Sequence, residues 1–245
     1  MPVIALQGLR GGMGATSVTA ALAWALQQLG ESVLAIDFAP DNLLRLHFNM
    51  PFELARGWAR AEQDGGDWQQ GAMRYCENLD FLPFGQLTLA ERLNVQQSCR
   101  QQPARWQDNL AQLNATAQYN WILLDLPADD EALAQQALAV ADCVFTLIAP
   151  DANCQVRLHQ QALPQGCRFL INHYFAASRL QQDLHQLWLQ TLGGLLPVVI
   201  HRDEAMAEAL AVKQPLGEYR PESLAADEVL TLANWCLINL KGTAP

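Results

Sequence analysis

The residues best suited to chemistry lie close to the N-terminus, in a glycine-rich segment that follows a short apolar run. An alanine-rich stretch with helical spacing comes directly after it. Glycines allow positive φ and leave room for phosphate oxygens, and the free N–H groups at a helix start attract anions. The segment therefore predicts a phosphate site, although a glycine-rich turn that only starts a helix is the simpler alternative. Its members are Arg10, Gly11, Gly12, Met13, Gly14, Ala15, Thr16 and Ser17.

Two aspartates that end apolar runs are the best candidates for the metal side of such a site. Asp37 closes the run 33–36, and Asp125 closes the run 121–124. Ligands of open α/β sheets bind beyond the carboxyl ends of the strands, and a buried aspartate without a partner is costly. Together with the Thr16 hydroxyl, these carboxylates predict a Mg²⁺ site. Asp37 has the alternative of binding ribose hydroxyls.

The elements that must position these residues alternate along the chain. Short apolar runs typical of buried parallel strands occur at 3–8, 32–37, 80–84, 121–127, 143–150, 167–174 and 196–201. Helical patterns occur at 16–29, 104–114, 130–141, 153–162, 178–192, 203–214 and 221–240. We expect the less periodic stretch 42–78 to form helices and loops over one edge. The alternation predicts one α/β domain over 1–245, with a doubly wound, mostly parallel sheet flanked by helices.

Composition narrows the classes of function. The formal charge of −10, with only two lysines, disfavours binding to nucleic acid or to anionic lipid. The six cysteines show no CxxC spacing and mostly lie in apolar runs, as in a reducing cytoplasm. No apolar stretch reaches the roughly 20 residues that a bilayer requires. We therefore expect a cytoplasmic protein without a direct membrane anchor.

Taken together, the glycine-rich segment and the sequence Asp125-Leu126-Pro127 resemble the ParA/MinD family of P-loop ATPases. That family's loop reads Lys-Gly-Gly-x-Gly-Lys-Thr-Thr, and its second magnesium-side motif reads Asp-x-Pro. The resemblance implies ATP and Mg²⁺ as ligands and a homodimer with ATP sandwiched between the chains. It also implies that Asn172 recognises the adenine and that the segment around Arg202 and Asp203 closes over the base.

Several longer segments resemble the ParA/MinD-like proteins of bacterial cellulose-synthesis operons, among them 40–46, 82–87, 158–164 and 201–208. This narrower resemblance implies a role in assembling, localising or activating the cellulose synthesis and secretion machinery. It also implies contact with other accessory subunits, and recruitment through them to the complex at the inner membrane.

Three positions depart from the ATPase pattern. Arg10 occupies the place of the lysine that reaches the partner's phosphates, and arginine retains the charge. Ala15 stands at the P-loop lysine position, and Ala39 stands where hydrolysing relatives have the acid that holds the attacking water. One well-placed cation can be worth about 10³ to 10⁵ in the rate of phosphoryl transfer. We therefore expect ATP binding with very slow hydrolysis or none.

Alternative functions remain open at this stage. A slowly hydrolysing switch would use Asp41 in place of the lost acid, although helix capping is the preferred interpretation of Asp41 and Asn42. A NAD-binding Rossmann oxidoreductase is a weaker alternative, because Gly12-Met13-Gly14 followed by Asp37 imitates its fingerprint. His173 and His201 flank the proposed base pocket, and packed surface histidines are the preferred interpretation of both.

Overall fold

Eight strands form a single sheet in a computed structural model that describes residues 1–128 and 131–241. The strands are β1 (Val3–Gly8), β2 (Val33–Asp37), β3 (Met73–Cys76), β4 (Leu79–Leu82), β5 (Trp121–Leu126), β6 (Cys143–Ile148), β7 (Arg168–Tyr174) and β8 (Leu195–His201). Their order across the sheet is β3-β4-β2-β5-β1-β6-β7-β8. Every neighbouring pair is parallel except β3 with β4. The predicted mostly parallel sheet is confirmed.

Helices cover both faces of this sheet. They are α1 (Ala15–Gln28), α2 (Leu44–His47), α3 (Trp58–Gln63), α4 (Leu89–Gln101), α5 (Arg105–Thr116), α6 (Glu131–Leu138), α7 (Ala152–Gln160), α8 (Arg179–Thr191), α9 (Glu204–Ala211), α10 (Leu216–Tyr219) and α11 (Leu224–Asn239), with a 3-10 helix at Trp68–Gly71. Side-chain caps fix several starts. Thr88 and Glu91 form a capping box at α4, and Ser178 and Ser223 accept backbone N–H bonds at the starts of α8 and α11.

The hydrophobic core lies in two layers because the strand side chains alternate between the faces. In β5, Trp121 and Leu123 pack in the layer that contains α1 and α11. Ile122 and Leu124 pack in the opposite layer, against α5 and α6. Asp125 continues the alternation on the α1 face, where the glycine-rich segment ends. The sheet therefore directs this carboxylate towards the start of α1.

The stretch 42–78 contains more regular structure than expected. Besides helices and loops it contributes β3, an antiparallel edge strand with a register irregularity between Arg74 and Cys76. Helix α4 was not among the predicted elements. The seven predicted strands are present, and no boundary differs from the prediction by more than two residues. The predicted start of the helix 130–141 lies outside the described residues.

Both edges of the sheet carry features that interrupt strand pairing. At one edge, β3 is only four residues long and contains the irregularity described above. At the other edge, Pro197 lies within β8 and lacks a backbone N–H. The register of β8 with β7 also shifts twice.

Candidate functional site

The carboxyl ends of β1, β2 and β5 meet at one edge of the sheet because these strands are neighbours. The glycine loop, residues 10–17, follows β1 and leads into α1. A cavity of about 270 Å³ lies at this edge. It is lined by the whole glycine loop and by Gly8, Ala39, Asp41, Leu43, Leu126, Pro127 and Ala128. The structure therefore brings the predicted phosphate segment to the end of the sheet where ligands of this architecture bind.

The glycine loop requires glycine for steric reasons. Gly12 and Gly14 have φ of 76° and 80°, in the left-handed region. A Cβ atom on Gly14 would lie 2.6 Å from the Asn172 side-chain nitrogen. Gly14 caps α1 without any side-chain hydrogen bond. The first N–H groups of this 14-residue helix therefore have no side-chain cap and are available to an anion.

Asp37 and Asp125 are fully buried on adjacent strands. The Asp37 carboxylate accepts backbone hydrogen bonds from Ala39 at 2.8 Å and from Leu44 at 3.3 Å. Burial and the nearby charge of Asp125 nevertheless raise the pKa of Asp37 well above its usual value. These two N–H donors fix the start of the segment that follows β2.

Asp125 differs from Asp37 because neither of its oxygens has a hydrogen-bond partner among the residues that the structure describes. Burial raises its pKa, and the nearby Thr16 hydroxyl offsets part of the rise without reaching hydrogen-bond geometry. A buried carboxylate without a donor is costly unless something positive approaches it. With a hydroxyl and a second carboxylate beside it, the oxygen set fits Mg²⁺.

Arg10 is held within the chain by Asp151. Its guanidinium donates to the Asp151 carboxylate at 2.7 Å and to the Gly11 carbonyl at 3.1 Å. Asp151 also caps α7 by accepting the N–H of Cys154 at 2.7 Å. Burial opposes the charge of Asp151, but the bonds from Cys154 and Arg10 outweigh it and lower the pKa. Arg10 is therefore ionised and lies at the glycine loop with its charge already paired.

Asn172 and His173, at the end of β7, lie against the glycine loop. The Asn172 amide donates to the Met13 carbonyl at 2.9 Å and is almost completely buried. His173 has a positive φ of 57°, and its Nε2 lies 3.5 Å from the position of a Cβ on Gly14. The structure thus uses Asn172 to support the loop, while its role in adenine recognition stays a prediction.

The segment after β8 is fixed by helix α11. Asp203 accepts the N–H of Ala205 at 3.0 Å and that of Ala225 at 3.2 Å, so one carboxylate caps α9 and also bonds the first turn of α11.

The residues on either side of the end of β8 are held as well. Glu228 accepts the N–H of His201 at 2.7 Å and contacts its ring Nδ1 at 2.5 Å. Arg202 is exposed and donates its backbone N–H to the Tyr174 carbonyl at 2.8 Å. Recognition of a base by Arg202 and Asp203 stays a prediction.

The capping interpretation of Asp41 and Asn42 is wrong. The N-cap of α2 is Leu43, which makes no side-chain cap, and the Leu44 N–H is bound by Asp37 instead. Asn42 has a positive φ and accepts the N–H of Gly85 at 3.2 Å. Asp41 is exposed and lines the cavity. Its availability for chemistry is therefore greater than the sequence suggested.

Sequence reasoning did not identify Asp151 or Glu228, and it assigned His173 to the surface. The position of Asp151 carried a usable signal, since it comes shortly after the apolar run that forms β6, near the strand end where ligands of such sheets bind. No helix within residues 1–128 and 131–241 combines the length and apolar character needed to cross a membrane.

The fold is that of MinD and related P-loop ATPases. MinD from Pyrococcus horikoshii complexed with Mg-ADP superposes with a TM-score of 0.72 at 21% identity, covering 99% of each chain. The MinC:MinD complex of Aquifex aeolicus gives 0.77 at 16% identity, over 100% of this chain and 98% of that one. Cobyrinic acid a,c-diamide synthase from Mycobacterium smegmatis with a bound ATP analogue and magnesium gives 0.77 at 17% identity, over 100% and 98%. At these identities the likeness concerns the fold alone.

Closer relatives share far more sequence. The cellulose biosynthesis protein BcsQ of Escherichia coli K12 is 53% identical over 249 residues, covering 99% of this chain and 96% of the relative. BcsQ of Salmonella typhimurium is 55% identical with the same coverage. The family model described as cellulose biosynthesis protein BcsQ matches residues 1–237. The chain therefore belongs to the BcsQ family of cellulose biosynthesis proteins.

Proposed function

We propose that this chain binds ATP with Mg²⁺ on the glycine loop and acts in this state as an accessory protein of the cellulose synthesis machinery. The observation that carries the proposal is Asp125, a fully buried carboxylate whose oxygens accept no hydrogen bond from the described part of the chain. It lies beside Thr16, at the start of a helix without a side-chain cap. A cation accompanied by a polyphosphate satisfies both the carboxylate and the N–H groups at the helix start.

The proposed role of each residue depends on which of its hydrogen-bonding groups are already used by contacts within the described residues. The N–H groups of residues 11–17 bind the phosphates, and Thr16 and Asp125 hold the metal. Asp37 supports it from the adjacent strand, since its oxygens already accept two backbone bonds. Bound Mg²⁺ would neutralise phosphate charge. Both Asp203 oxygens are occupied by N–H donors, so we propose that this segment contacts the base through its backbone and Arg202.

Hydrolysis is proposed to be very slow or absent. Ala15 supplies no cation to the outer phosphates, and Ala39, which lines the cavity, cannot hold an attacking water. One observation favours the alternative of a slow ATPase switch: Asp41 lines the same cavity and is exposed. An Asp41→Ala variant separates the two functions, because it lowers a measurable turnover only if Asp41 positions the water.

We further propose a homodimer with ATP sandwiched between the chains, located in the cytoplasm and brought to the membrane complex through other accessory subunits. Support comes from Arg10 at the glycine loop. Its ion pair with Asp151 is partly exposed, and solvent weakens such a pair. In the dimer, a phosphate of the nucleotide bound to the second chain can replace Asp151 as the partner of the Arg10 guanidinium. Arg10 then still makes a charge-assisted hydrogen bond. The family membership supports the role in cellulose synthesis.

The experiment combines three measurements on the purified chain of 27.1 kDa. Copurified nucleotide is identified by mass spectrometry, and binding of Mg-ATP and of NAD is compared by calorimetry. The expected result is Mg-dependent uptake of ATP and none of NAD. Light scattering is expected to show a doubling of mass with Mg-ATP, which Arg10→Ala abolishes while binding persists. Absence of ATP uptake, with partner subunits present, would overturn the proposal.

A further inference from the structure

His173 lies against the glycine loop, although it is not part of the phosphate-binding motif in the sequence. His173 lies at the end of β7 in a left-handed backbone conformation that is uncommon outside glycine. That conformation directs the half-buried ring onto the loop, with Nε2 3.5 Å from the Gly14 Cβ position and the ring in contact with the Gly12 backbone. The neighbouring Asn172 anchors the same loop through Met13.

The charged groups that act on this ring come from two other loops. They are Arg10 after β1 and Arg202 after β8. Arg10 is paired with Asp151 at the start of α7, whereas Arg202 is exposed. Burial, and then the two arginine charges, lower the pKa of His173, while the contact with the Gly12 backbone opposes them. The ring is therefore neutral in the free protein near pH 7.

We propose that His173 is a phosphate-side residue of the nucleotide site, which takes up a proton when a polyphosphate occupies the glycine loop. This inference rests on the proposed function and adds a regulation by pH to the same site.

The physical reason is charge compensation. A bound triphosphate adds several negative charges among Arg10, Arg202 and the ring, which reverses the sign of the local potential and favours the imidazolium form. One proton then passes from solvent to the ring, and both ring nitrogens become donors. The protonated ring supplies a positive charge at the glycine loop. The loop lacks the usual P-loop lysine, because Ala15 occupies that position. Affinity should therefore rise as the pH falls.

The test uses the full chain and the slowly hydrolysed analogue ATPγS with Mg²⁺. Calorimetry at pH 7 in buffers of different ionisation enthalpy measures the protons taken up on binding. We expect net uptake in the wild type and its loss in His173→Asn, since asparagine tolerates the left-handed backbone. For each unit by which binding raises the pKa of His173, affinity should increase about tenfold between pH 8 and pH 5.

Two variants and one spectrum make the result specific. His173→Lys should bind Mg-ATPγS with the same affinity at pH 6 and at pH 8, and as tightly as the wild type does at pH 6. The reason is that the lysine charge is permanent in that range. His159→Gln, at an exposed position of α7, should behave as the wild type. The His173 NMR resonance should titrate at higher pH when ATPγS is bound.

Unchanged proton uptake in His173→Asn, with an unmoved His173 resonance, would overturn this inference and leave the proposed function intact. Failure of ATPγS to bind at any pH would overturn both. Unaltered melting temperature of His173→Asn without nucleotide verifies that the variant is folded.

Discussion

Asp37 and Asp125 occupy paired positions on the neighbouring parallel strands β2 and β5, where both carboxylates are fully buried. Burial raises the pKa of both carboxyl groups, and the nearby charge of Asp125 raises that of Asp37 further. The free protein thus keeps two acids together in a place where they are unfavourable. A bound cation would remove this repulsion, which links metal binding to stability.

Asp125→Asn tests this link because asparagine keeps the shape and removes the charge. We expect the free protein to become more stable by about 1 kcal/mol, which raises the melting temperature by roughly 2–4 °C for a chain of this size. We also expect Mg-ATP affinity to fall at least about tenfold, since a carboxylate ligand is lost. Thermal melting and calorimetry measure the two effects. Asp183→Asn, in an exposed helical ion pair with Arg179, is the matched control and should change neither.

Ala15→Lys with Ala39→Asp restores the two groups that hydrolysis requires. The lysine offsets charge on the transferred phosphoryl group, and the aspartate holds water at a position that lines the cavity. Phosphate release from the double variant should exceed that of the wild type at least about tenfold, because each restored group acts on the transition state. A wild-type rate already near about 1 s⁻¹, which is normal for phosphoryl-transfer enzymes, would contradict the proposed slow turnover.

Gly14→Ala places a methyl group where the Asn172 side-chain nitrogen is only 2.6 Å away, on a backbone with φ of 80°. The loop must move to accept it, so unfolding free energy should fall by about 1–3 kcal/mol and nucleotide affinity should be lost. Gly11→Ala is the control, because among the described residues no atom beyond Gly11 and its two chain neighbours lies within 4 Å of the added Cβ position. Its unfolding midpoint in urea should match the wild type.

His47 on α2 makes the protein sensitive to acid. It is 1% exposed, and neither ring nitrogen reaches hydrogen-bond geometry with any group of residues 1–128 and 131–241, the nearby Gln214 backbone included. Burial lowers its pKa to about 4, although the Gln214 backbone offsets part of this effect. The unfolded chain, with an ordinary histidine pKa of roughly 6.5, binds the proton more tightly.

The consequence for stability has a definite sign and window. The folded state loses up to about 3 kcal/mol relative to the unfolded state as the pH falls from roughly 6.5 to 4. His47→Leu should flatten this decline in urea unfolding between pH 7 and pH 4.5. A slope identical to that of the wild type, or of the exposed control His159→Gln, would show that His47 is not responsible.

The parts of the site that sequence could predict are those that follow from local pattern. The glycine loop and the strand-end acids Asp37 and Asp125 can be recognised from a few neighbouring residues. Strand alternation determines on which face of the sheet a side chain lies, and the end of the strand determines at which edge it lies. The edge strand β3 was missed since its half-exposed residues lack the continuous apolar character of a buried strand.

The remaining parts depend on contacts between distant segments. Arg10 pairs with Asp151 across 141 positions, and Asn172 binds Met13 across 159. Neither pairing leaves a trace in spacing, so Arg10 and Asn172 could be assigned only as ligands of a nucleotide. The structure shows that both side chains contact the glycine loop within the chain, and their roles towards a nucleotide stay predictions.

The interruptions at the two borders of the sheet limit how this protein can assemble. A strand from another molecule would have to pair with β3, which is short and irregular in register, or with β8, in which Pro197 lacks a backbone N–H. Both features disfavour extension of the sheet and so oppose amyloid-like stacking. We therefore expect partner subunits to dock on loops or helix surfaces rather than by adding a strand to this sheet.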